Sequence, residues 1–262
     1  MDAREQADAR CTFGRLTKGA TVSELLDLVV EAHGGLQRWK RVQRVAGEMS
    51  IVGGLWARKG WPEVLRNVQV SGLCHEQFLS YSPFAGPGKR SEYTPQRVAV
   101  KTDSGEIIAA RERPRDAFAG HTMATPWDEL HLAYFSGFAM WNYLTTPFIF
   151  TLDGVQTREI EPWQEDGEPW RRLHVTFPEH IITHGNEQVF YIDARGLTRR
   201  MDYSSPLTGG ADNHVAHYMS GHKDFSGIVL PTHRRAYLSR PDGSAMREHV
   251  MVAIDIATVE FS

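Results

Sequence analysis

The chain predicts a mainly β (α+β) fold, a single long antiparallel meander that forms an unclosed barrel wrapped around an interior helix. Three observations carry that expectation. Most of the chain after residue 42 is a succession of short segments with period-two hydrophobic alternation, punctuated by Gly, Pro, Asn or Asp. Residues 125–150, TPWDELHLAYFSGFAMWNYLTTPFIF, break that pattern with a helical stretch that has no wet face. A sheet of about eleven or twelve strands curls, and its concave face then needs an apolar filler.

Taken in order, residues 1–20 are polar and aperiodic and read as a tail, leaving residues 21–262 as one folded domain. Thr21-Val22-Ser23-Glu24 offers a cap, and Val22, Leu25, Leu26, Leu28, Val29 and Ala32 make an amphipathic helix. His33-Gly34-Gly35 ends it, with glycine suited to a left-handed C-cap, and Trp39 anchors the short turn or helix that follows. Strands are expected near 43–52, 64–70, 73–81, 90–93, 96–101 and 106–112. Gly53-Gly54 and Asp103-Ser104-Gly105 serve as turns. In the interior helix Thr125 is the expected N-cap and Pro126 the first helical residue, with Asp128 completing a capping-box-like start. Trp127, Leu130, Tyr134, Phe138 and Trp141 form one stripe, and Leu132, Phe135 and Ala139 a second. Thr145, Thr146 and Pro147 stop the helix after roughly 18 residues, about 27 Å, short of a membrane span. Strands resume at 148–150 and continue near 156–161, 173–177, 188–193, 197–204 and 233–240. In the closing strand Val250, Val252, Ile254 and Ile256 share a face.

Composition excludes some functions. The 262 residues are 41% hydrophobic and carry a net charge of −3, so neither nucleic acid nor an anionic membrane surface is an expected partner. The short positive runs at 111–115 and 233–235 read as solvated faces. No integral membrane segment is expected. The two cysteines, Cys11 and Cys74, are expected to be free thiols, and the N-terminal stretch has no apolar leader, so the expected location is cytoplasmic.

The N-terminal helix ending in Ala32-His33-Gly34-Gly35 with Trp39 close behind, the meander, the interior helix followed by Pro147-Phe148, the Gly-Ile-Val-Leu-Pro-Thr segment at 227–232 and the closing strand of alternating Val and Ile together resemble the outer-membrane lipoprotein-sorting-like proteins. This is the superfamily of the periplasmic lipoprotein carriers LolA and LolB. The resemblance spans roughly residues 20–262 and implies an unclosed barrel around helices, with an apolar cavity that receives lipid chains. Against the carriers' pattern, neither a signal peptide nor a lipidated N-terminal cysteine is expected from the N-terminal stretch as it reads.

Chemistry-bearing residues are few. His131 lies one helical turn after Asp128 and one before Tyr134, so a carboxylate, an imidazole and a phenol could share one edge of an apolar interior. His217, with Asp202 and Tyr203 on later strands, could face the same space. The histidine clusters 174, 180, 184 and 214, 217, 222 lack ligand spacing, because His214 and His217 fall on opposite faces of a strand, and no metal is expected. No phosphate-binding loop or nucleophile elbow occurs, and no cofactor is expected. The expected function is binding of a hydrophobic small molecule or lipid in a cavity lined by Trp127, Phe135, Phe138, Trp141 and Tyr203. The alternative is a cofactor-free enzyme in the same cavity, with His131 or His217 moving a proton and Asp128 and Tyr134 assisting.

Overall fold

The computed structural model describes residues 24–209 and 213–262. The expected tail, Cys11 and the first residues of the expected N-terminal helix lie outside them. Strands β1 (Arg44–Val52), β2 (Leu65–Leu73), β3 (Leu79–Ser82), β4 (Lys89–Tyr93), β5 (Arg97–Thr102) and β6 (Ile107–Glu112) form a first meander. A second consists of β7 (Gln156–Glu165), β8 (Glu168–Thr176), β9 (Glu187–Ile192), β10 (Thr198–Ser204), β11 (His214–Phe225), β12 (Ile228–Leu238) and β13 (Val252–Phe261). All neighbours are antiparallel, in the order β6-β5-β4-β3-β2-β1-β13-β12-β11-β10-β9-β8-β7. The last strand therefore sits in the middle of the sheet, with Val45 opposite Phe261 on one side and Ala236 opposite Val252 on the other. Strands β6 and β7 are the two edges and do not pair with each other, so the barrel is unclosed. Bulges at Glu48/Met49 and Ile160/Trp163, among others, bend the ladder and help it curl.

The meander matches the expected one in kind and differs in detail. Thirteen strands form. The segment expected at 73–81 is a turn until Leu79, because β2 runs on to Leu73. The stretch at 148–150 is a 3-10 turn, Phe148–Thr151, whose three apolar side chains are buried. A continuous apolar triplet carries no period, so strand and turn look alike in sequence. The closing strand starts at Val252, with Ile254 and Ile256 on the buried face as expected and Val250 ahead of it.

Five helices occur among the described residues: α1 (Glu24–Ala32), α2 (Gly35–Trp39), α3 (Gly54–Arg58), α4 (Glu129–Thr145) and α5 (Pro206–Gly209). Helix α1 buries Leu25, Leu26, Val29 and Val30 and stops at Gly34, where φ is +114°. A Cβ there would lie 2.0 Å from the Gly227 carbonyl oxygen, so only glycine lets α1 close over the β11–β12 turn. Val229 donates its N–H to the His33 carbonyl at the same contact. Trp39 stacks on Phe148 at 4.4 Å.

Helix α4 carries the chain from edge β6 to edge β7 through the concave interior, and of its residues only Glu129 and His131 are not buried. It begins at Asp128 rather than at Thr125. The backbone ahead of it is held open by Lys59, whose ammonium donates to the Thr122 and Thr125 carbonyls and whose own carbonyl accepts from Trp127. That leaves Asp128 to accept from the His131 N–H at 2.8 Å as the actual cap. Gly137 sets the distance to the sheet, since a Cβ there would lie 2.5 Å from that of Tyr93. No helix among the described residues is long and apolar enough to cross a membrane.

Candidate functional site

The two sides of α4 meet the sheet differently. Toward β3–β5 the contact is tight, through Gly137 against Tyr93 and a hydrogen bond from the Tyr81 hydroxyl to the Ser136 carbonyl. Toward β1 and β11–β13 a pocket opens. Phe135, Ala139, Met140 and Tyr143 form the helix wall, at the spacing that puts residues three and four apart on one side. Ile51, Val215, Ala236 and Ile254 form the sheet wall. Leu55 and Trp56 of α3, Met123 and Met251 line one part of it, while His184, Tyr203, Ser205, Thr208 and Asn213 line another. The open space is about 40 Å³, room for a few water-sized groups at most. Larger occupants require the side chains to move, and the three methionines are the residues best able to do so.

A polar layer lies at the inner end, centred on Tyr143. The Tyr143 hydroxyl is 2.8 Å from His184 Nε2 and 3.4 Å from the Tyr203 hydroxyl, and Tyr203 stacks on His184 at 4.2 Å. His217, two residues from Val215 along the same face of β11, meets the Tyr143 ring edge-on at 4.9 Å. Arg234, two residues from Ala236 on β12, places its guanidinium 4.6 Å over the same ring and donates Nη2 to the Tyr143 carbonyl at 3.0 Å. It is 2% exposed. Burial, reinforced by Arg115, pushes the His184 imidazole down to about 3, and burial with the Arg234 charge holds His217 well below its ordinary value. Burial also lowers Arg234 to about 10, still cationic at neutral pH, and raises Tyr143 to about 12.

Of the residues singled out by sequence, Phe135 and Tyr203 line the pocket, and His217 lies one layer beneath. Phe138 is buried between Phe135 and His184. Trp127 covers the start of α4, 4.9 Å from Phe135, and Trp141 faces away, donating its indole N–H to the Leu73 carbonyl. Asp128 and His131 form a reciprocal capping box. Besides the bond already described, His131 Nδ1 accepts from the Asp128 N–H at 3.3 Å, while Nε2 lies 3.1 Å from the Ala117 carbonyl. Asp128 also pairs with Arg111 at 2.5 Å, and Tyr134 packs on Tyr93. Asp202 does not share the interior with Tyr203. As its chain neighbour on β10 it faces the opposite side of the sheet, where it pairs with Arg200.

The reading of 233–235 as a solvated face is corrected at Arg234. The signal is present in the sequence: Ile228, Leu230, Thr232, Arg234 and Ala236 share one phase of β12, and all are buried. His184, for which the sequence predicts no place in the interior, is likewise enclosed. Among the described residues no three His, Cys, Asp or Glu side chains gather as metal ligands, and Cys74 is a buried free thiol.

No protein-family model matches the chain, and no curated protein sequence matches it. Solved structures do share the fold. A DUF1329 family protein from Desulfovibrio piger is 14% identical, with a TM-score of 0.50 over 91% of this chain and 92% of its own. A LolA superfamily protein from Nitrosomonas europaea is 11% identical, with a TM-score of 0.51 over 93% of this chain and 94% of its own. A putative outer membrane lipoprotein-sorting protein domain from Vibrio parahaemolyticus is 9% identical over 90% of this chain and 92% of its own, with a TM-score of 0.49. The chain has a LolA-like fold. The expected cytoplasmic location is corrected: the chain shares its fold with a LolA superfamily protein, which points away from the cytoplasm. That expectation rested on a missing apolar leader, and such an absence is silent about location.

Proposed function

We propose that the chain binds a hydrophobic small molecule or lipid between α4 and the β1/β11–β13 part of the sheet. The observation that carries this reading is the contrast along α4. The same helix whose Gly137 packs directly on Tyr93 leaves a mostly apolar pocket along its other side, walled by side chains that can rearrange. The LolA-like fold agrees with it. Phe135 and Tyr203 are the sequence-derived ligand contacts that this reading keeps, with Met140, Trp56 and Met251 added. A cofactor-free acid–base reaction takes second place. Burial holds His184 and His217 neutral well below their ordinary values, so neither accepts a proton readily near neutral pH.

The test is titration with N-phenyl-1-naphthylamine, a neutral apolar fluorophore, followed by displacement with long-chain alcohols. Saturable binding to wild type, lost in a folded Ala139→Phe variant whose new ring fills the pocket, is the expected result. A wild-type protein that takes up neither probe nor alcohol overturns the reading.

A further inference from the structure

We infer that the polar layer beneath the pocket, to which Arg234 and His217 belong behind Tyr143 without lining the open space, is an anion site in which Arg234, assisted by His217, receives the carboxylate of an apolar acid once Tyr143 gives way; this rests on the pocket being the binding site. Arg234 is a fully enclosed cation with no carboxylate partner among the described residues, and none of the side chains that line the pocket is acidic. A buried cation is costly unless it is paired. The Tyr143 carbonyl, in the last turn of α4, and the Tyr143 ring offset only part of that cost, because a helix end carries about half a charge.

The unmatched atoms in this layer include donors with nothing to donate to. Arg234 Nη1, both ring nitrogens of His217 and His184 Nδ1 are all buried without a hydrogen-bond partner among the described residues. A neutral imidazole can offer one N–H, and a guanidinium offers only donors. What Arg234 lacks is an anionic acceptor. One cation, with one face of its fork already used by Tyr143, suits a singly charged, carboxylate-sized group better than a doubly charged phosphate. Ala236 lines the pocket two residues from Arg234 on the same face, so their Cα atoms are about 6–7 Å apart along β12. A molecule entering acid-first would leave its chain among Met140, Ile51 and Ile254.

The experiment displaces N-phenyl-1-naphthylamine with dodecanoic acid, 1-dodecanol and dodecyl phosphate, on wild type and on Arg234→Met. The proposal expects the acid to bind wild type about 10-fold or more tightly than the alcohol, and more tightly than the phosphate. In Arg234→Met the acid should lose that advantage while the alcohol binds as before. His217→Phe should reduce the preference for the acid and likewise spare the alcohol. Equal binding of acid and alcohol by wild type overturns the anion site and leaves the apolar pocket standing, as would be found if only water meets Arg234. Preference for the phosphate overturns the choice of carboxylate. Failure of all three to displace the probe overturns the pocket reading itself. Should Arg234→Met not fold, the dodecanoic acid and 1-dodecanol thermal shifts of wild type decide the matter, the acid being required to stabilise more.

Discussion

Two arginines are buried among the described residues, on opposite faces of one sheet, and they are treated in opposite ways. Arg200, on the face away from α4, is fully enclosed yet surrounded by acceptors. Asp202 lies at 2.7 Å, Glu165 at 3.0 Å and the Tyr218 hydroxyl at 3.1 Å, with Tyr191 beneath the guanidinium. Arg234, on the concave face, has one carbonyl and one aromatic ring. The acidic partners raise the Arg200 pKa although burial opposes them, whereas burial lowers that of Arg234. The difference teaches what each face is for. The outer cluster is complete without a ligand and clamps the β7–β8 hairpin to the sheet. The inner layer is complete only with something added.

Acid should separate the two faces most strongly. The imidazoles of buried His33 and His184 and of half-buried His222 are held down to about 4, 3 and 4 by burial, and His217 is held well below its ordinary value. In the unfolded chain each titrates near 6.5, so below that pH the unfolded state binds protons that the folded state refuses. Their contribution to stability is therefore intact above about 6.5 and is lost as pH falls toward 4, at about 1.4 kcal/mol per pH unit for each group. Urea denaturation between pH 7 and 5 should show a steep loss of stability, less steep in His217→Gln. A stability that is flat over this range would mean the inner layer is wet.

Removing Arg200 comes next in size. Arg200→Met strands Asp202 and Glu165 beside each other, and breaking such a buried pair costs about 3–5 kcal/mol, read as a lowered denaturation midpoint. Gly137→Ala probes the dry side of α4, where the added methyl meets Tyr93, and should cost about 1–3 kcal/mol. Arg234→Met should change stability by less than about 1 kcal/mol or increase it, because it removes a charge that has no counter-ion. A loss as large as that of Arg200→Met would erase the contrast and make Arg234 a structural clamp. Smallest of all, His131→Gln should stay within about 0.5 kcal/mol, since glutamine also completes a capping box, and should leave ligand binding unchanged.

Much of the fold was legible because it is written locally. Period-two alternation in Leu173, Val175 and Phe177, the turn at 103–105 and the unbroken apolar surface of α4 each report on their immediate surroundings. The site was less legible, for two physical reasons. Helix α3 follows Gly53, which looks like a simple turn glycine, and its Leu55 and Trp56 reach the pocket only because β1 ends beside Met251. Arg234 sits in a basic triplet whose charge suggests solvent, although its phase along β12 places it inside. Charge and phase disagreed there, and phase prevailed. His184 lies in a segment without period, so nothing local marked it as interior.

The central position of β13 also governs the order in which the molecule can be made. Its ladder with β1 joins residues more than 200 positions apart, Val45 with Phe261 and Ile51 with Ile254. At about 5–20 residues per second, a ribosome needs roughly 10–40 s between emitting one strand and the other. During that interval the β1 side of the first meander and the β12 side of the second each present an open, apolar-flanked ladder to their surroundings. Completion of the chain thus works as a timing step: the two halves remain separate until the strand that joins them arrives, and a cell making this protein must shield both ladders until then.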